Sequence, residues 1–330
     1  MTDSDLLSYR QFWGETKKKA HKLAEYGSMT KRPYANPPGY TRFDLVAERL
    51  STQIYALFQM WNGERLGFAE QIAWTLSTYI AQLKAPIYWM QRDLLQALMH
   101  TRMPKSVGHL ARPMPCAVIM LPIGLVQTPD QESVDFIGFY HFVGGEKLPD
   151  IVIPRNGKVV VPSAPQGDRL WVFTVTNGGT MYASSSDLKV EDGCLELDQG
   201  TWRPSPIEEV EILRENPVEV EQAFLRTIES LALQTILLMQ SRPDLIDGDA
   251  TARSFKGVSN TKKLLPRQPR WVGRDYKIRT KGPGTGHHAS PESHWRQGHE
   301  RRVVVGKGRL ERRWHWFEPV LVNAGKEKPT

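Results

Sequence analysis

The 330-residue chain is 40% hydrophobic and 24% charged, the composition of a chain that buries a core, and its length predicts two or three structural units. Two cysteines, Cys116 and Cys194, exclude by count a disulfide framework or a four-cysteine zinc site. The N-terminus opens with acids, without the positive and apolar regions of a signal peptide, and no run reaches the roughly eighteen apolar residues of a membrane helix. No membrane partner and a cytoplasmic location are therefore expected.

Charge is unevenly divided along the chain. Residues 251–330 hold 19 Lys and Arg against 6 Asp and Glu, net +13, whereas the preceding 250 residues hold 24 against 30, net −6. Such asymmetry points to a polyanionic partner for the C-terminal part, or to docking of that part on an acidic protein surface, the body of the chain itself included.

In chain order, residues 1–27 suggest a helix with a basic patch at Lys17, Lys18, Lys19 and Lys22, and the prolines of 31–40 impose a turn-rich link. Apolar residues at helical spacing predict helices over 43–60 (Leu45, Leu50, Ile54, Leu57, Phe58) and 67–83 (Phe68, Ile72, Leu76, Ile80). A third helix is predicted to start at Pro86 and run to Arg102 through Ile87, Met90, Leu94 and Leu98. Past Pro113 the period changes. Short runs rich in Val, Ile, Phe and Tyr at 116–126, 134–143, 151–153, 158–161, 170–176 and 180–184 predict an antiparallel sheet or small barrel, with Asn177-Gly178-Gly179 as a hairpin turn. The Ser184-Ser185-Ser186-Asp187 cluster reads as a turn, and Asp130, Glu132 and Asp135 as a polar hairpin rather than a metal cluster. A long apolar helix follows over 217–240, ended by Arg242-Pro243. The expectation is an α+β fold in three units: a helical N-terminal unit (1–112), a central antiparallel β unit closed by the long helix (113–245), and a basic β-rich C-terminal module (251–330).

Three residue types coincide in the last unit. Arg270, Arg274, Arg296, Arg301, Arg302, Arg309, Arg312 and Arg313 supply planar guanidinium groups suited to phosphate, and Trp271 and Trp295 supply faces on which bases stack. Five of the nine histidines, at 287, 288, 294, 299 and 315, fall here too. These types predict nucleic-acid contact with an RNA or DNA backbone, and the ten Arg and Trp residues just named are its candidate contacts. His294 and His299, with Arg296, also have the residue types for general acid–base cleavage of RNA, provided a tight turn at Gly298 brings the two imidazoles together. His287, His294 and His299 match no familiar zinc spacing and no cysteine is near, so neither metal nor other cofactor is expected.

The segment His287-His288-Ala289-Ser290-Pro291-Glu292-Ser293-His294-Trp295-Arg296-Gln297-Gly298-His299, followed by Gly306 to Arg309 and then Trp314-His315-Trp316-Phe317-Glu318-Pro319, resembles a C-terminal motif of uncharacterised bacterial, plasmid and phage proteins. That motif is H-x-S-P-x-x-H-W-R-x-G-H, a Gly/Arg turn, and W-x-W-x-x-P. Where similar proteins carry a second Trp-Arg pair, this chain has Glu300-Arg301-Arg302. The resemblance implies a mobile-element or host-regulation setting and no particular activity. The function expected is thus a nucleic-acid-contacting protein, with a ribonuclease or toxin-like enzyme and a protein–protein adaptor with a basic docking module as alternatives.

Overall fold

A computed structural model of the chain describes residues 37–42, 45–46, 85–103, 106–108, 115–145, 153–155, 158–160, 167–176, 181–191, 194–197, 218–247, 269–282 and 293–323. The helices expected over 1–27 and 67–83 lie outside these residues, as does that over 43–60 apart from a helical pair at 45 and 46. The described residues form a strand-rich α+β protein with mixed sheets and two α-helices.

The expected third helix is in fact three elements: strand β1 (Ile87–Met90), helix α1 (Arg92–Met99) and a short strand β2 (Thr101–Arg102). The cause is burial on two sides. Ile87 and Trp89 enter one hydrophobic cluster while Tyr88 and Met90 enter another, a period of two that only an extended chain provides. The Gln91 side chain then accepts from the Leu94 backbone N–H at 2.9 Å, capping α1, whose apolar face buries Leu94, Leu95, Ala97 and Leu98.

The next strands in the chain are β3 (Ser106–Gly108), β4 (Cys116–Met120), β5 (Val134–Phe142), β6 (Ile153–Arg155), β7 (Lys158–Val160), β8 (Asp168–Thr176), β9 (Met181–Glu191), β10 (Cys194–Leu197) and β11 (Arg270–Val272). Except for β6 and β7, which pair with each other, they join β1 in one eight-stranded sheet ordered β11-β1-β4-β5-β8-β9-β10-β3. The expected antiparallel ladder runs from β4 through β10. The strands β1 and β11 extend it in parallel, making the sheet mixed. Helix α2 (Val218–Ser241) matches the expected long helix; its Phe224, Ile228, Leu231, Ile236 and Leu237 cover one face of the sheet together with α1. Phe136, Tyr140, Phe142, Phe173 and Val175 build the core of the opposite face, around Val46 and beside Tyr40.

Two sequence expectations within this sheet fare differently. Ser184, Ser185 and Ser186 are not a turn: they lie inside β9 opposite Val172, Trp171 and Leu170. Ser186 Oγ donates to Glu229 on α2 at 2.6 Å, so for that serine the helix supplies the polar partner that lets it sit in a strand. Of the acids, Asp130 and Glu132 lie in the link between β4 and β5 as expected, whereas Asp135 is buried within β5. Each accepts from a different hydroxyl, those of Tyr182, Thr176 and Thr41 respectively, and no metal-ligating group of three occurs among the described residues. No helix among them is long and apolar enough to cross a membrane.

The remaining strands are β12 (Arg279–Lys281), β13 (His294–Arg296), β14 (Gly298–Val305), β15 (Glu311–Phe317) and β16 (Val320–Val322). They make two three-stranded sheets, β12-β16-β13 and β15-β14-β2. Through β11 and β2, strands after residue 251 are hydrogen-bonded to strands before residue 112.

Candidate nucleic-acid interface

The antiparallel pair β14–β15 is a ribbon with an anchored base and a projecting tip. Its ladder runs from His299 opposite Phe317 to Val305 opposite Glu311. Gly306 (φ 84°), Gly308 (φ 78°) and Arg309 (φ 57°) turn the chain in left-handed conformations at the tip.

Side chains alternate between the two faces of the ribbon. At the base of one face sits Trp316, 2% exposed, within the core cluster that includes α2. Its indole N–H donates to Thr101 Oγ1 at 3.1 Å; that hydroxyl donates to the Ala97 carbonyl at 2.8 Å, and Gln234 Nε2 donates to the Thr101 carbonyl at 2.8 Å. One threonine thus joins α1, α2 and the ribbon. Opposite Trp316 stands Glu300, 5% exposed, with Ser241 Oγ at 3.4 Å from one carboxyl oxygen and no hydrogen-bond partner on the other. Burial pushes its pKa up to about 7, only partly offset by the Ser241 contact.

Gly298 begins β14 and is not a turn. It pairs with Thr101, its N–H donates to the His100 carbonyl at 3.0 Å, and a Cβ there would meet Pro319 at 2.7 Å and the Phe317 carbonyl at 2.8 Å. Glycine is required by close approach of three chain segments. In consequence His294 and His299 are not folded onto one another by a reversal: His294 lies on β13 opposite Val322, and His299 on β14 opposite Phe317, in different sheets.

The other face of the ribbon carries a ring ladder. His299 stacks on Phe317 with centroids 4.8 Å apart and planes 11° apart, His315 meets Phe317 edge-on at 4.6 Å, and the Arg301 guanidinium carbon lies 4.6 Å from the Phe317 centroid. Arg301, Arg302, Lys307, Arg309, Arg312 and Arg313 are all exposed on the ribbon, and Arg313 is paired with Glu311 at 2.9 Å. Along the far half of β14, Val304 is 46% exposed while Val303 and Val305 are half-buried, because this half of the ribbon extends past the core.

The other predicted contacts are more dispersed. Trp295, half-buried, stacks on His100 at 4.3 Å and 15°, and Arg296 beside it is exposed. Burial lowers the His100 pKa. Arg270 sits in β11 at the edge of the large sheet, Trp271 packs against Tyr40 and Trp89 at 5.5 Å each, and Arg274 pairs with Asp247. Trp271 is therefore a packing residue. Arg242 and Arg279 both grip Glu318, at 2.6 and 2.9 Å, fixing the link between β15 and β16. Two residues of this surface had no local sequence signal, His100 and Arg102: they reach it because β2 lies parallel beside β14, with Arg102 opposite His299.

Neither a curated protein nor a solved structure matches the chain. A family model does, over residues 88–324, a span that runs from β1 to just past β16 and takes in both helices, the large sheet and the ribbon. The mobile-element setting implied by the C-terminal resemblance agrees with that match: the chain belongs to the AcrVA2-like family, the anti-CRISPR type V subtype A2 family.

Proposed function

We propose that this protein acts in its anti-CRISPR family setting by contacting nucleic acid through the β14–β15 ribbon. The observation that carries the reading is a charge imbalance: six exposed Lys and Arg side chains on residues 298–317 stand against one exposed carboxylate, Glu311, the other being the buried Glu300. A strip of cations on a narrow projecting ribbon attracts a polyanion over a long range and loses that attraction as salt rises. The family description supplies a matching context, a type V CRISPR system, in which nucleic acid is present as guide and target.

The test is a binding isotherm of the full chain against labelled RNA and DNA at several salt concentrations. Binding should weaken steeply with salt, and the double substitution Arg301→Ala, Arg302→Ala should reduce the salt slope by about two charge equivalents. Absence of binding at low salt would exclude this role and leave an acidic protein surface as the partner of the ribbon.

A further inference from the structure

Two flat ring pairs flank Gly298. On one side Trp295 lies on His100 (4.3 Å, 15°), and on the other His299 lies on Phe317 (4.8 Å, 11°). The backbone holds the pairs together: Gly298 is hydrogen-bonded to His100 and in register with Thr101, and His299 with Arg102. His299 is exposed and Trp295 half-buried; exposed Arg102 lies opposite His299, and exposed Arg301 is two residues on from His299 along the same face of β14. The site is thus assembled from two segments nearly two hundred residues apart, which neither the ribbon alone nor the helix end alone would provide.

From this placement we infer that the nucleic acid taken by this surface is single-stranded, with unpaired bases stacking on the Trp295–His100 and His299–Phe317 ring pairs while Arg102 and Arg301 hold the flanking phosphates. The inference rests on the nucleic-acid reading above and narrows it. A duplex hides the faces of its bases and presents edges and phosphates, for which guanidinium groups alone suffice. Flat rings interleaved with cations fit unstacked bases, every one of which has a π face. Each ring of a pair uses one face on its partner, and the pairing holds the rings in place before a base arrives, so little side-chain freedom is lost on binding.

The test compares fluorescein-labelled single strands of about twelve nucleotides, U-rich RNA and oligo-dT, with a duplex of the same length, by anisotropy with the full chain at low salt. The single strands should bind at least tenfold tighter than the duplex. Trp295→Ala and His299→Ala should each weaken single-strand binding about tenfold, the loss expected from one stacked base, and leave duplex binding unchanged. Trp295→Phe should retain most of the affinity, which separates stacking from a folding defect. A 2-aminopurine placed in the strand should be quenched on binding, less so with Trp295→Ala. Duplex binding as tight as single-strand binding overturns this inference and leaves the nucleic-acid reading standing, as does single-strand binding indifferent to both ring substitutions or without 2-aminopurine quenching. Binding to neither overturns both.

Discussion

Strands β5 and β14 are nine and eight residues long, yet every residue of β5 is buried, while on β14 only Gly298 and Glu300 are. The first lies in the middle of an eight-stranded sheet, between two apolar cores. The second belongs to a ribbon that touches the core at one end and leaves it at the other. An interior strand needs side chains that match its surroundings on both faces, so its sequence is nearly continuous in apolar residues. A projecting strand needs an anchor at its root only, and beyond it the sequence is available for charge and rings. The contrast predicts that substitutions at the root of the ribbon change stability, and those beyond it change binding.

The largest effect should come from the root. Trp316→Ala removes a fully buried indole and its bond to Thr101, and should cost about 3–5 kcal/mol in denaturant unfolding. If that loss is under about 1 kcal/mol, the ribbon is not anchored by its tryptophan.

Glu300 comes next, and its effect depends on pH. Its folded-state pKa is raised from the ordinary 4.5 to about 7, so the protonated acid is the form the fold favours. That stabilisation is present in full below about pH 4.5 and is lost as the pH rises through 7. Glu300→Gln, which carries no charge, should therefore gain up to about 3 kcal/mol over the parent at pH 8 and nothing of this kind at pH 4. Equal gains at both values would assign the effect to packing instead of ionisation.

Gly298→Ala drives a methyl into Pro319 and the Phe317 carbonyl and should cost about 1–3 kcal/mol, read as a lowered melting temperature. The smallest stability effect belongs to the far end of the ribbon. Arg312→Ala and Arg313→Ala should each stay within about 0.5 kcal/mol of the parent in unfolding, Arg313 losing only an exposed pair with Glu311. Their effect should appear as weaker nucleic-acid binding at low salt, and a stability loss matching that of Trp316→Ala would erase the distinction between root and tip.

What could be read in the sequence follows the same division. Strands β5 and β8 were legible as runs rich in Val, Ile, Phe and Tyr bounded by turn residues, and helix α2 as a long apolar stretch bounded by Pro217 and Pro243. Ile87 to Met90 were not, since four consecutive apolar residues next to a helical pattern carry no period of their own. Only the two clusters on either side of β1 reveal it as a strand. The Ser184 to Ser186 run misleads in the opposite sense, its polarity suggesting a turn when Glu229 on α2 supplies the partner that keeps Ser186 in a strand. The cations and rings of residues 270–317 could be recognised from residue type alone. Their sorting could not: Trp271 to packing, Trp295 to a stack on His100, Gly298 to a close crossing. Each depends on a strand distant in the chain, and a local pattern contains no record of that neighbour.

The bond between Thr101 and Trp316 spans 215 positions of sequence. A chain emerging from the ribosome exposes Thr101 early and must wait for nearly all the rest before that partner exists, and β1 waits likewise for β11. The ring pairs around Gly298 are therefore among the last features to form. A product cut short before Trp316 leaves Thr101 without its indole partner and the core cluster of α1 and α2 without its cover, so premature termination should yield a molecule that exposes apolar surface and aggregates.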